Sequence, residues 1–280
     1  VKWRRLVVRE VATLQKEAMD MLKKTSRTFY IPITFLEPTL KKAVASAYLC
    51  MRAIDEIEDH ETLDAIVKQR LLLETSKMLV NGFDKKEYEL LVAPYQEQLP
   101  AVSLRLGDWL EICPTDLVAT VKTYTAEMAE GMAKWVEKEW QVKTKEDLDE
   151  YTYYVAGLVG VMLSELWKWN ADIETDRDLA IAYGRGLQAV NILRNKDEDK
   201  ERGVQFFPEG WTRADMFEYA EDNLSKADEY IKSINRKSIL LFCKLPLALA
   251  HKTLKALKSG KEKMSRSEVE ETVVEVQAEV

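Results

Sequence analysis

The stretch Met51-Arg52-Ala53-Ile54-Asp55-Glu56-Ile57-Glu58-Asp59-His60 closes a helical pattern that begins near Pro38. The apolar stripe of that pattern runs Leu40, Val44, Ala47, Tyr48, Met51 and Ile54, spaced by threes and fours. Asp55 follows Met51 by one turn and Tyr48 by two, so helical geometry puts it inside the stripe. Asp59, a turn further on, shares that face. Two carboxylates that repel each other and lose hydration need a compensating positive charge. A divalent cation such as Mg²⁺, which takes hard oxygen ligands, is one answer. A structural ion pair between Asp55 and Arg52 is the other, and the spacing alone does not choose between them.

Outward from this stretch the chain reads as helix after helix. Residues 3–24 carry Leu14, Ala18, Met21 and Leu22 on one side. Then Thr25-Ser26-Arg27-Thr28-Phe29-Tyr30-Ile31-Pro32 crowds hydroxyls, a guanidinium and aromatics at a helix end. Such a loop suits an anion or simply caps the helix. Residues 62–80 form a further amphipathic helix, and residues 83–113, broken by Pro94, Pro100 and Gly107, two short ones. A long helix starts at Thr115 and runs to about Trp140, with Gly131 inside it. The next, residues 145–166, is apolar nearly all round and should lie buried. Its Gly157 and Gly160 allow either tight packing or a channel wall.

The helix expected over residues 176–202 repeats Gly184, Gln188, Asn191, Asn195 and Asp199 as one polar stripe, ended by Gly203. That stripe is a wet outer face or the wall of a polar cavity. Residues 212–235 and 237–258 continue the pattern, the latter with Pro246 inside, and Ser265-x-x-Glu268 opens a last helix over 266–278. No repeat, linker or sheet-like alternation interrupts it. The fold class is all-α, and residues 1–280 read as a single domain.

Composition narrows the function. The 280 residues are 46% hydrophobic and 32% charged, with only 10 Gly and 7 Pro, as in a helix-rich globular protein. A net charge of −7 argues against a nucleic-acid partner bound through its phosphates. Cys50, Cys113 and Cys243 stand far apart in apolar surroundings and read as core thiols of a reducing, cytoplasmic compartment. Two histidines, His60 and His251, leave no His-based metal site. No secretory signal is legible, and the longest apolar run, Tyr153 to Leu163, is well short of the ~20 residues of a membrane span. Lys2, Trp3, Arg4, Arg5, Leu6 and Val7 leave peripheral membrane contact open. Oligomeric state is not legible.

Acidic and amide oxygens four residues apart on two helices suit a Mg²⁺ cluster gripping a diphosphate, and apolar helices suit an allylic cation. Here the chain resembles the squalene/phytoene synthase family of all-α prenyltransferases over nearly its whole length. Lys24-Thr25-Ser26-Arg27-Thr28-Phe29 is similar to the family's first loop, and Arg52-Ala53-Ile54-Asp55-x-x-Glu58-Asp59 to its first aspartate-rich motif. Gly131-Met132-Ala133 is similar to the squalene-synthase branch. Tyr151-x-x-Tyr154-Val155-Ala156-Gly157-Leu158-Val159-Gly160 resembles the central helix. Gln188-x-x-Asn191-Ile192-Leu193-Arg194, then Glu198-Asp199 and Phe206-Phe207-Pro208, resembles the second motif.

The resemblance implies a helical bundle of the isoprenoid-synthase type around a central apolar cavity, with a prenyl diphosphate, C15 favoured, as substrate. It implies Asp55, Asp59, Asp199 and Glu198 as Mg²⁺ ligands, and Arg52 and Arg194 as holders of diphosphate oxygens, supported by Ser26 and Thr28. Tyr48 and Tyr151 match tyrosines near the reacting centre, and Gln188 and Asn191 line the second helix. Gly157 and Gly160 would line a prenyl-tail channel. Of these, Asp55, Asp59, Tyr151 and Asp199, together with Asn195, are the catalytic candidates.

The second motif departs from the family pattern, because Asn195 stands where its first aspartate belongs. Asp197 is no substitute, lying about 200° around the helix. An amide oxygen can ligate a hard cation but brings no charge. From this the expected reaction is ionisation of farnesyl diphosphate and capture by water, giving farnesol and diphosphate. The alternative is head-to-head condensation to squalene, dehydrosqualene or phytoene, and a second is a prenyl-lipid binder without catalysis.

Overall fold

The computed structural model describes residues 2–280, with the side chains of residues 2–9 and 27 outside the description. The interfacial contact expected of Lys2 to Val7, and the Arg27 guanidinium, therefore lie outside the described side chains. The described residues are all-α, with no strand among them. The chain divides into two compact helical units, Val1–Glu137 and Lys138–Val280. The first is built around the helix that carries the Asp55 motif, the second around the helix that leads into the Asn195–Asp199 motif.

In the first unit that helix is α3 (Pro38–Glu58), opened by a proline whose missing N–H is no loss in a first turn. Around it pack α1 (Lys2–Thr25), α2 (Arg27–Thr34), α4 (Ala65–Asn81), α6 (Ala101–Leu104), α7 (Leu106–Glu111) and α8 (Val118–Glu137), with α5 (Lys85–Val92) against α4 and α7. Leu40, Val44, Ala47, Leu49, Ala53, Ile54 and Ile57 of α3 are all fully buried. Its backbone is tied to the α6–α7 segment by hydroxyls: Ser103 donates to the Ala53 carbonyl at 2.8 Å and Ser46 to that of Trp109 at 2.7 Å. Burying these hydroxyls without partners would cost about 1–3 kcal/mol each.

Two boundaries differ from the sequence reading. Residues 83–113 hold α5, α6 and α7 and a 3₁₀ turn at Ala93–Tyr95, because Pro100 has extended backbone and starts α6 afresh. The long helix begins with a 3₁₀ turn, Thr115–Leu117, and α8 stops at Glu137. Glu139 and Trp140 follow with φ of 54° and 52°, a conformation no helix propagates.

The hub of the second unit is α11 (Arg177–Arg194), capped by the Asp176 carboxylate, which accepts from the Leu179 N–H at 2.9 Å. Against it lie α9 (Lys145–Thr152), a π-helical turn (Tyr153–Gly157), α10 (Leu158–Ala171), α13 (Arg213–Ile231) and α14 (Lys237–Lys258). After α11 comes α12 (Lys196–Glu201); α14 packs on α13 and on the last helix, α15 (Arg266–Glu279). The Ser265–Glu268 capping box read from the sequence opens α15, and Pro246 sits within α14.

The helix expected over residues 145–166 is interrupted by the π turn, and the one over 176–202 breaks at Asn195 (φ −97°, ψ 11°). The first interruption has a steric setting. A Cβ on Gly160 would meet the Ala180 carbonyl oxygen at 2.2 Å, and one on Gly184 the Ala156 carbonyl oxygen at 2.2 Å. The segment and α11 thus touch backbone to backbone. Of the two readings left open for Gly157 and Gly160, tight packing describes their bare faces, since a Cβ on Gly157 would meet Ile181 at 2.9 Å.

Candidate active site

The first motif occupies the last turns of α3. A helix C-terminus carries partial negative charge, so Asp55, Glu56, Glu58 and Asp59 there are set against the dipole and against one another. The fold supplies cations locally. Arg52 forks between Asp55 (Nη1 to Oδ2, 2.9 Å) and Glu56 (Nη2 to Oε1, 2.5 Å). Lys68 of α4, itself buried, donates its ammonium to the Glu58 carbonyl at 2.9 Å. Beyond the helix, His60 Nδ1 accepts the N–H groups of Thr62 and Leu63 at 3.3 and 3.1 Å. That leaves its proton on Nε2, which donates to the Gln98 carbonyl at 3.0 Å.

Asp55 remains electrostatically uncomfortable. Burial pushes its carboxyl up to about 6; Arg52 pulls the other way, and Asp59 and Glu56 push it further up. The Asp55–Arg52 pairing foreseen as a structural alternative is thus present, yet it does not neutralise the site. Asp59 is exposed, whereas Glu58, passed over as a ligand by sequence reasoning, is 3% exposed. The clue was available: Glu58 follows Ile54 by one turn and belongs to the same buried stripe.

Tyr48, two turns before Asp55, is half-buried and packs its ring on Phe29 at 5.0 Å. Burial raises its phenol above the ordinary range, while the nearby Ser26 hydroxyl and Arg52 lower it. Ser26 links α1 to α2 and its Oγ is buried without a completed hydrogen bond, close to Tyr48 but outside hydrogen-bond geometry. Thr28 is exposed on α2. The first unit thus gathers Ser26, Tyr48, Arg52 and Asp55 on neighbouring helices.

In the second unit Tyr151 is buried and stacks on Phe206, ring centroids 4.6 Å apart. This contact fastens the end of α9 to the extended exit that follows the second motif. The π turn beside it is stitched by polar groups: Arg185 donates to the Asp149 carbonyl at 2.7 Å and to Thr152 Oγ1 at 3.3 Å. The Tyr219 hydroxyl donates to Asp149 Oδ1 at 2.7 Å. Sequence reasoning missed Arg185, because a charged residue between Gly184 and Gly186 gives no sign of its partner. π turns are frequent at functional sites, and this one displays Tyr153 and Tyr154, both half-buried.

Along α11, Gln188 and Asn191 are half-buried and Arg194 is exposed. Asp199 is buried at 9% and Glu198 exposed, so the two differ sharply as ligands. The register survives the break at Asn195: its N–H donates to the Asn191 carbonyl and its carbonyl accepts from Asp199, both at 2.9 Å.

Mg²⁺ fits the first motif in donor chemistry. The available atoms are carboxylate oxygens, and Asp55 carries an excess of neighbouring negative charge that a divalent cation relieves. Among the described residues no three acidic, His or Cys side chains converge into a metal cage. Nor is any described helix long and apolar enough to cross a membrane.

Comparison with known proteins agrees with this layout. The Squalene/phytoene synthase family profile matches residues 22–216. Squalene synthase 10 of Panax ginseng is 32% identical over 267 residues, covering 84% of this chain and 62% of that protein. The Homo sapiens squalene synthase is 28% identical over 271 residues, covering 86% and 63%. The chain therefore spans somewhat under two thirds of the curated relatives it matches. Among solved structures, a ligand complex of TcSQS superposes with a TM-score of 0.77 at 24% identity, covering 94% of this chain and 86% of that one. A dehydrosqualene synthase in complex with ligand gives 0.66 at 21%, covering 96% and 97%.

These relatives correct the expectation of farnesol release, which rested on Asn195 alone. The matched relatives are squalene and dehydrosqualene synthases, which favours the condensation alternative over hydrolysis. Carrying both motifs, the first loop and the central helix inside the matched span, the chain belongs to the squalene/phytoene synthase family.

Proposed function

We propose that the protein joins two prenyl diphosphates head to head, with squalene, dehydrosqualene or phytoene as the class of product and C15 chains favoured. The observation that carries this is the extent of the family match, residues 22–216, which takes in Ser26, Asp55, Tyr151 and Asp199. In this reading Mg²⁺ supplies charge neutralisation for the departing diphosphate.

The chain's own residues do the rest. Asp55, Asp59 and Asp199, with Glu198, are the anionic ligands. Arg52, already aimed by Asp55 and Glu56, and Arg194 hold diphosphate oxygens. The buried Ser26 hydroxyl, lacking a completed bond, gains one from a diphosphate oxygen, and exposed Thr28 flanks it. Tyr48 and Tyr151 present aromatic faces near the reacting carbons, where a ring can stabilise an allylic cation. Gln188 and Asn191 supply polar contacts along α11.

The test is incubation with farnesyl diphosphate and Mg²⁺, with and without NADPH, and product identification. A C30 hydrocarbon is the expected result. Farnesol as the sole product, or no diphosphate release, overturns the reading.

A further inference from the structure

The second motif holds an arrangement that the metal-ligand picture does not explain. The Arg194 guanidinium donates from Nη2 to Asn191 Oδ1 at 3.0 Å and from Nε to Asn195 Oδ1 at 3.4 Å. Asn191 and Asn195 lie one helical turn apart, and the backbone bond of 2.9 Å between them preserves that spacing through the break. The only side-chain oxygen of Asn195 is thus directed at a guanidinium.

A divalent cation on the same oxygen would sit within a few ångström of Arg194, and Asn195, unlike Asp55 beside Arg52, brings no negative charge to offset that repulsion. Asn195 therefore does not fit a metal. The amides have a different consequence. Being neutral, they hold the guanidinium without cancelling its charge, and of its five N–H donors two are engaged among the described residues. Arg194 is exposed, so its remaining donors are open to an anion.

We infer that Asn195 is a positioning residue for Arg194 and not a metal ligand, so that this end of the site grips diphosphate with an amide-anchored guanidinium in place of one metal ion. This deepens the proposed function, since it takes the anion to be a diphosphate. A carboxylate at position 195 would do the reverse, recruiting a cation and neutralising Arg194 as its salt-bridge partner.

The probes are inorganic pyrophosphate and Mn²⁺ on the full chain. Calorimetric titration with pyrophosphate in EDTA should show metal-free binding. Asn195→Leu and Asn191→Leu should each weaken it about tenfold, and Arg194→Gln should weaken it further. Asn195→Asp should also weaken it, yet in electron paramagnetic titrations with pyrophosphate present it should bind one more Mn²⁺ per chain than the native protein. Asn195→Ser, read the same way, replaces the leucine variant if that does not fold. Equal Mn²⁺ numbers in the native and Asn195→Asp chains, or loss of a Mn²⁺ in Asn195→Leu, overturns the inference. So does unchanged metal-free affinity in the asparagine variants. A failure to make C30 product would sink the proposed reaction and leave these binding results standing, so the two are separable.

Discussion

The end of α3 and the crossing of α10 with α11 are both tightly determined, by opposite means. At the end of α3 the problem is charge: four acids crowd a helix C-terminus, and Arg52, the buried ammonium of Lys68 and the two-sided hydrogen bonding of His60 hold them there. At the crossing the problem is space: Gly160 and Gly184 each lie where a single Cβ would collide with a backbone carbonyl. Strain retained at the first region is what a cation-binding site needs. Strain at the second has been removed by deleting side chains, because its task is to fix positions. Substitutions should therefore separate function from stability at one region and leave them inseparable at the other.

The largest expected effect tests the first half of that contrast. Asp55→Asn should lower product formation by at least ~10²-fold, the scale of losing a metal-ligand interaction. The fold should not suffer. With its carboxyl raised to about 6, Asp55 is more easily protonated folded than unfolded. The stability this lends is complete below the unfolded value and lost as pH rises through the folded one. At pH 7 the ionised carboxylate is a burden, and the amide should leave Tm unchanged or higher. A large drop in Tm would make Asp55 a structural residue and erase the contrast. Gly184→Ala, the next in size, should cost about 3 kcal/mol or more, equally at pH 6 and pH 8, with activity falling only as the folded fraction falls. An alanine variant of native Tm would mean the helices part readily.

How much of this was legible follows the same division. The all-α class, the helix carrying Asp55 and the Ser265 cap were readable because 3.6-residue periodicity and capping chemistry are local. The π turn was not; it sits where Gly160 meets Ala180 and Ala156 meets Gly184, contacts between segments distant in sequence. Glycines announce that something is close without saying what, which is why packing and channel stayed open for Gly157 and Gly160. At the site, the inward register of Asp55 was legible from spacing, while Asp199 was singled out only by the resemblance. Glu58's burial could be read from its place in the same stripe but was passed over; Arg185's partners could not, because they lie on a second helix. Asn195 was over-read: its lack of charge was visible, but its partner, Arg194, is a matter of rotamers. Reasoning from the missing charge alone produced the phosphatase expectation that the relatives correct.

Lys68 probes the charge-held region from its supporting side. Replacing it with methionine keeps most of the apolar stem and deletes the donor to the Glu58 carbonyl. The expected cost is about 2 kcal/mol, typical of a hydrogen bond from a buried charged group, with Lys68→Arg recovering part of it. The loss should also loosen the motif, seen as faster amide exchange at Glu58 and Asp59 relative to α11. Uniform exchange across both units would mean that Lys68 merely stabilises the fold at large.

The smallest effect calibrates the comparison, because its cations, Lys85 and Arg105, are far more exposed than the buried Lys68. Asp108 on α7 is gripped by Lys85 at 2.5 Å and Arg105 at 2.6 Å, with side-chain exposures of 17%, 40% and 32% respectively. Burial alone would raise its carboxyl, but the hydrogen bonds and charges of Lys85 and Arg105 outweigh it and leave the group below the usual carboxylate range. The sign is opposite to that of Asp55. This stability is present above the unfolded value near ~3.9 and is lost as pH falls through the folded one. Asp108→Asn should therefore flatten the acid limb of a Tm-against-pH curve below about pH 4 and cost less than about 1 kcal/mol at neutrality, shrinking further in salt. A cost at pH 7 as large as that of Lys68→Met would show that burial is not what separates strong from weak charge pairs in this unit, and the distinction drawn at the end of α3 would lose its physical basis.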